Sequence, residues 1–269
     1  MRQMISDIEH YFSRSSGPSR LAILIDPDKQ SPEKAGKMAI AAVNGGASAI
    51  LVGGSTASDH NIVDSTVISI KESLELLTWS STQDTSSIDI TNPPVILFPS
   101  GSKAVSNHAD AILFMSLLNS NDLQYVLKEQ YFASLELEKT NVKRFPTAYL
   151  VTEPGGRVGE VGKANLILRN DIASVKRYAS LSVGFGMRFL YIDAGSGASP
   201  SISLDLIRAS RRDDQTLIVG GGIRTPELAF EISRCQPDWI VIGTVLEEEE
   251  KMSSLQKIVN DFVIAIELQ

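Results

Sequence analysis

Eight short apolar runs recur along the chain, at residues 21–25, 49–52, 95–98, 111–115, 147–151, 189–192, 217–219 and 239–242. Each is bounded by turn residues and separated from the next by polar or amphipathic sequence. Their hydrophobicity is nearly continuous rather than alternating, which suits strands buried on both faces, as in a parallel sheet. Between the runs lie helix signals. Ser31-Pro-Glu-Lys34 pairs an N-capping hydroxyl with proline at the first helical position, and Thr225-Pro-Glu-Leu228 repeats it. Ser199-Pro-Ser-Ile202 is read as a third instance, and residues 121–139 as a long amphipathic stretch. Strands alternating with helices predict an α/β fold, a (β/α)8 TIM barrel in one domain over residues 1–269; a doubly wound open sheet is the alternative.

The third unit breaks the rhythm. After Phe98-Pro-Ser100 only a short polar segment precedes the next run, so the barrel is expected to be modified there, without a full helix. Residues 79–92 are rich in Ser, Thr and Asp and read as a loop insertion before the third strand. Residues 247–250, four glutamates, read as a solvated helix start.

Composition narrows the function. A chain of 269 residues with net charge -7 lacks the basic surface that nucleic acids require. No apolar run reaches the roughly 18 residues that span a bilayer, and residues 1–20 have no signal-like apolar core, so a cytosolic protein is expected. The single cysteine, Cys235, excludes an intramolecular disulfide and is read as buried packing.

Chemistry gathers at the ends of the strands. Three glycine-rich turns follow the last three runs: Tyr191-Ile-Asp-Ala-Gly-Ser-Gly-Ala198, Gly220-Gly-Gly-Ile-Arg224 and Ile242-Gly-Thr244. In a barrel they lie side by side at one face, where exposed backbone N–H groups attract an anion. Ser196 and Thr244 add hydroxyl donors, and Arg224 is read as a surface ion-pair residue. The first run ends in Asp26-Pro-Asp-Lys29 and the second in Gly53-Gly-Ser-Thr56, which brings Asp26 and Ser55 together. Few oxygen ligands suit Mg2+, which takes the rest of its shell from water and substrate phosphates. Lys29 is left between a diphosphate contact and a solvated position, and Asp28 and Asp59 are read as structural. An anion cradle facing an acidic corner suits two substrates, a monophosphate and a metal-bound diphosphate.

Taken together, Asp26-Pro-Asp-Lys29, Gly53-Gly-Ser-Thr56, Phe98-Pro-Ser100 and the three glycine turns resemble the geranylgeranylglyceryl phosphate synthase family, related to the PcrB heptaprenylglyceryl phosphate synthases. The run Ala194-Gly-Ser-Gly-Ala198 looks like the archaeal branch. The resemblance implies a prenyltransferase that joins geranylgeranyl diphosphate to the 3-hydroxyl of sn-glycerol 1-phosphate, the first ether bond of archaeal membrane lipids. It implies Mg2+ at Asp26 and Ser55. It implies glycerol phosphate at Tyr191, Ile192, Asp193, Ala194, Gly195, Ser196 and Gly197, with Gly221, Gly222, Gly243 and Thr244. Asp193 is the expected base, with Tyr191 bonding a glycerol hydroxyl. The family usually has Glu where this chain has Asp193, a carboxylate one methylene shorter. Phe98, Phe114 and Met115 are read as ordinary core first and as linings of a prenyl groove second, and barrels of this sort often form homo-oligomers. Two alternatives remain: another phosphate-binding barrel enzyme, such as a sugar-phosphate isomerase or amino-acid-pathway barrel, and a non-catalytic phosphometabolite-binding protein.

Overall fold

The structure is a computed structural model and describes residues 7–14, 17–54, 59–83 and 92–268. Eight parallel strands close into a barrel in chain order: β1 (Arg20–Ile25), β2 (Ala49–Gly53), β3 (Val95–Phe98), β4 (Ala111–Leu117), β5 (Lys143–Val151), β6 (Phe189–Asp193), β7 (Thr216–Gly220) and β8 (Trp239–Ile242). Closure is made where Arg20 to Ile23 of β1 pair with Trp239 to Ile242 of β8. All eight apolar runs are strands. The closed ring excludes the open doubly wound sheet.

The two faces of each strand have different partners. Outward residues such as Ile23, Ile50, Leu190 and Ile240 pack under the surrounding helices, while inward residues fill the barrel. The interior is unusually aromatic, with Phe145, Tyr149, Phe189, Tyr191 and Trp239 all buried. Near-continuous apolar runs follow from this double burial.

Helices α2 (Pro32–Asn44) and α8 (Pro226–Ser233) begin as their caps require: Ser31 and Thr225 accept from the backbone N–H of Lys34 and Leu228. The third cap is corrected. Helix α7 (Leu204–Ser210) starts after Ser203, and Pro200 follows a cis peptide bond outside it. Helix α3 (His60–Gln83) also corrects an expectation, because Trp79–Gln83 is helical rather than looped. Buried Val63, Val67, Ile70 and Leu74 hold one face of α3 on the barrel, so its polar end continues a helix that packing has already nucleated. Residues 84–91 of the expected insertion lie outside the described residues. Asp59 has the structural role expected, its carboxylate accepting from Asn61 N at 2.8 Å as α3 begins.

No helix separates β3 from β4. The amphipathic stretch that follows β4 is a π-helical turn, π1 (Gln124–Lys128), leading directly into α4 (Glu129–Glu138). Helices α5 (Gly156–Val161), α6 (Ile172–Gly184), α9 (Thr244–Glu247) and α10 (Met252–Glu267) complete the outer layer.

A short helix, α1 (Ile8–Phe12), plugs the end of the barrel where the strands begin. Phe12 is fully buried, stacked 4.5 Å from Trp239 and 5.6 Å from Phe145, and its carbonyl accepts from Trp239 Nε1 at 2.8 Å. Among the described residues, this plug fills the end where the strands begin.

Candidate active site

A cavity of about 470 Å³ opens at the C-terminal ends of the strands. Its walls join both ends of the chain: Asp26, Asp28 and Lys29 after β1, Gly54 after β2, Tyr191 and Asp193 of β6, Ser196 and Gly197, Gly221 to Arg224, and Gly243, Thr244 and Glu247. The glycine turns and the acidic corner therefore face one mouth.

The cradle is shaped by backbone that no other residue fits. Gly221 has φ +91°, and a methyl group on it would lie 2.4 Å from Asp193 Oδ1 and 2.5 Å from the Ala194 nitrogen. Across the mouth, Ser196 Oγ and Thr244 Oγ1 are 3.0 Å apart, two hydroxyls at one place. Three members of the expected run stand back from the walls. Ile192 is fully buried on the outward face of β6, and Ala194 packs in the same outer layer. The Gly195 N–H turns back to Asp193 Oδ1 at 2.7 Å. These three shape the turn rather than line the cavity.

Asp193 is fixed from both sides. Gly195 N–H holds one carboxylate oxygen, and the Tyr149 hydroxyl donates to the other at 2.8 Å. Burial raises the Asp193 carboxyl above the usual range, against the lowering effect of these two hydrogen bonds. Tyr149 and Tyr191 are pushed well above an ordinary phenol, first by burial and then by the neighbouring Asp193 charge. Both phenols therefore stay protonated and can donate.

Asp26 follows β1 directly, with its carboxylate against the Cα of Gly54; a methyl there would meet both oxygens at 2.6 Å. That contact explains Gly54, while a methyl on its neighbour Gly53 would run into the Phe98 carbonyl of β3. The Asp28 N–H donates to Asp26 Oδ1 at 3.1 Å, and the Lys29 ammonium lies 3.7 Å from Oδ2. Burial raises the Asp26 carboxyl most, Asp28 N–H and Lys29 oppose this, and the charges of Asp28 and Glu247 add to it. The donor set is all oxygen. Among the described residues no three His, Cys, Asp or Glu side chains gather as a metal site. One carboxylate per ion still fits a hard cation that is completed by phosphate and water. Ser55 lies outside the described residues.

Several side chains have roles that differ from the sequence reading. Glu247 ends the short helix α9 beside the cavity and pairs with Lys29 at 2.7 Å, so it is not a solvated helix start. Lys29 lines the cavity, bridging Glu247 and Asp26. Arg224 keeps the expected surface ion pair, 3.7 Å from Glu248, yet also reaches the cavity wall beside Gly197. Two further polar lining residues were missed, Arg157 and Tyr149. Arg157 has a signal in Gly155-Gly-Arg157 after the fifth strand, a turn like the three that were singled out. Tyr149 has none, because a tyrosine inside an apolar run reads as core.

Beside the polar cavity runs an apolar groove, sharing Gly54, Phe98 and Tyr149 with it. Phe98, Phe114 and Met115 line it, as do Tyr125 of π1 and Ala133 of α4. It occupies the space left by the absent third helix. It encloses about 90 Å³.

The model of the PcrB family matches residues 18–261. The chain belongs to the PcrB family. It is 42% identical to the geranylgeranylglyceryl phosphate synthase of Methanosarcina acetivorans over 86% of this chain and 87% of that one. The synthase of Thermoplasma volcanium is 39% identical over 91% of each chain. The crystal structure of (S)-3-O-geranylgeranylglyceryl phosphate synthase from Thermoplasma acidophilum, in complex with its substrate sn-glycerol-1-phosphate, superposes with a TM-score of 0.86 at 35% identity. That match covers 99% of this chain and 100% of that one. Tryptophan synthase from Mycobacterium tuberculosis shares the fold alone, with a TM-score of 0.58 at 14% identity. Among the described residues of this PcrB family chain, no helix is long and apolar enough to cross a membrane.

Proposed function

We propose that this chain is a cytoplasmic, homo-oligomeric prenyltransferase that joins geranylgeranyl diphosphate to the 3-hydroxyl of sn-glycerol 1-phosphate. The observation that carries the reading is the junction of two unlike spaces. A polar cavity with glycine turns and cations meets an apolar groove at Tyr149 and Phe98. A substrate with a charged head and a long hydrocarbon tail matches that junction, and a second, wholly polar substrate matches the cradle.

The glycerol phosphate rests on the turns of Ser196–Gly197, Gly221–Gly222 and Gly243–Thr244, with Arg224 beside its phosphate. Asp26, with Ser55, would hold Mg2+, which when bound would neutralise charge on the diphosphate leaving group. Lys29 and Arg157 add positive charge around the mouth. Asp193 accepts the proton of the 3-hydroxyl as the new carbon–oxygen bond forms and the bond to diphosphate breaks. Each carboxylate oxygen has more than one lone pair, so the bonds to Gly195 and Tyr149 leave acceptor capacity. Tyr149 and Gly195 aim the shorter side chain of Asp193, which limits its rotation. Tyr191 stands beneath Gly220, its hydroxyl at the cavity floor. The closed lower end of the barrel and the apolar groove keep water from the reacting carbon.

The test is incubation with Mg2+, each glycerol phosphate enantiomer and prenyl diphosphates of several lengths. An ether product from sn-glycerol 1-phosphate and the C20 diphosphate is expected. Absence of product with every pair would remove the reading.

A further inference from the structure

Closure of the barrel sets the turn after β8 beside the turn after β1, because those two strands pair. Residues 218 positions apart meet there: the Lys29 ammonium donates to Glu247 Oε2 at 2.7 Å. Each partner is held by its own turn. The Lys29 N–H donates to the Asp26 carbonyl at 3.1 Å, which ties the lysine back towards that aspartate. Leu246, fully buried, anchors the one-turn helix α9 and so fixes the place of Glu247. The side chains of Glu247 and Asp26 are 14% and 11% exposed, so both carboxylates are largely withdrawn from water, whereas that of Lys29 is 43% exposed. The ammonium is shared unequally between them. It is hydrogen-bonded to Glu247, but at 3.7 Å from Asp26 Oδ2 it makes only a Coulombic contact.

We propose that Glu247 is a positioning residue, which draws the Lys29 ammonium off Asp26 and so keeps Asp26 Oδ2 open to the divalent cation. This deepens the reading of Asp26 as the metal-holding carboxylate and rests on it. A lysine three residues after an aspartate, in the same tight turn, neutralises that aspartate unless another anion competes. Here the competitor comes from the far end of the chain. Asp26 Oδ1 already accepts from the Asp28 N–H at 3.1 Å, so Oδ2 is the oxygen available to a cation. With Lys29 engaged by Glu247, the charge of Asp26 remains to attract that cation. Direct ligation by Glu247 is the rival, since both carboxylates line the cavity. It would take from the ammonium the one carboxylate to which it is hydrogen-bonded.

The experiment is a titration of the full chain with Mn2+ as the probe for Mg2+, near neutral pH and without substrate, free Mn2+ being read by electron paramagnetic resonance. The wild type should bind an ion that Asp26→Ala loses. Glu247→Gln should weaken that ion on the order of fivefold, the upper scale for an exposed ion pair, here the one released to compete at Asp26. Lys29→Met should bind at least as well as the wild type. Adding Glu247→Gln to Lys29→Met should change nothing further, because the ammonium through which Glu247 acts is gone. A wild type that binds no ion, or an ion that Asp26→Ala retains, would end the metal reading and this proposal with it. An Asp26-dependent ion held equally well by the wild type and Glu247→Gln would overturn the positioning role alone. A loss on Glu247→Gln that persists beside Lys29→Met would make Glu247 a ligand or a structural support of the corner, and would also end the proposal.

Discussion

The two sides of the barrel mouth are built on different principles. On the β6–β8 side the cavity is defined by backbone: glycine turns at positive φ, N–H groups, and two hydroxyls 3.0 Å apart. On the β3–β4 side the groove is defined by side chains and by a missing helix. Backbone shape tolerates almost no substitution, whereas apolar walls tolerate many of similar volume. The polar side should therefore fail abruptly when altered, and the apolar side gradually. The reaction needs both, since one substrate must be held in a single pose and the other has a flexible tail.

The largest effect is expected where charge develops. Asp26→Ala should cut kcat on the order of 10²–10³-fold, the scale for losing a group that stabilises transition-state charge. Circular dichroism should be unchanged, since Asp26 lies after β1 rather than in the barrel core. Near-normal turnover would remove the metal role from that corner. Next comes the cradle. Gly221→Val forces a side chain to within 2.4 Å of Asp193 Oδ1 at φ +91°, so KM for glycerol phosphate should rise by at least about tenfold. KM for the prenyl diphosphate should move much less. Equal changes in both would show that the two sides are not separate sites.

Legibility in the sequence follows the same division. All eight strands were readable because burial on both faces leaves apolar runs, and Gly221 and Asp193 because backbone and charge demand particular residue types. The plug α1 was not readable, since only Phe12 of its polar stretch is wholly buried. Tyr149 was hidden for the converse reason: its ring lies in the aromatic core and only its hydroxyl reaches Asp193. The helical end of α3 was missed because serine and threonine there continue a helix whose packed face lies earlier in the chain, at Val63, Val67, Ile70 and Leu74. Glu247 read as solvent-facing because its partner, Lys29, is 218 positions away.

Tyr149 sits where the two sides meet, and its hydroxyl tests how they are coupled. Its hydrogen bond lowers the Asp193 carboxyl, which burial raises. A base must be ionised, so activity should rise with pH through that raised value. Tyr149→Phe removes a stabiliser of the ionised form, so the acid limb of kcat should move to higher pH. At fixed neutral pH the loss should be about tenfold or more, the scale of a hydrogen bond to a charged group. An acid limb that stays in place would separate Asp193 from the proton transfer, even if the rate fell.

The smallest effect belongs to the apolar wall. Ala133 is buried, faces the groove from α4, and has only a methyl group to give to it. Ala133→Phe adds a ring to a space of about 90 Å³, so a long tail must displace more side chain as it enters. Overpacking costs of about 1–3 kcal/mol set an upper bound on this penalty, because flexible walls such as Met115 can shift. KM for the C20 diphosphate should rise several-fold, while a C10 diphosphate should be affected less and glycerol phosphate not at all. A ring at position 133 that changes every prenyl length alike would mean the tail runs elsewhere. The space left by the missing third helix would then be a packing defect rather than half of the site.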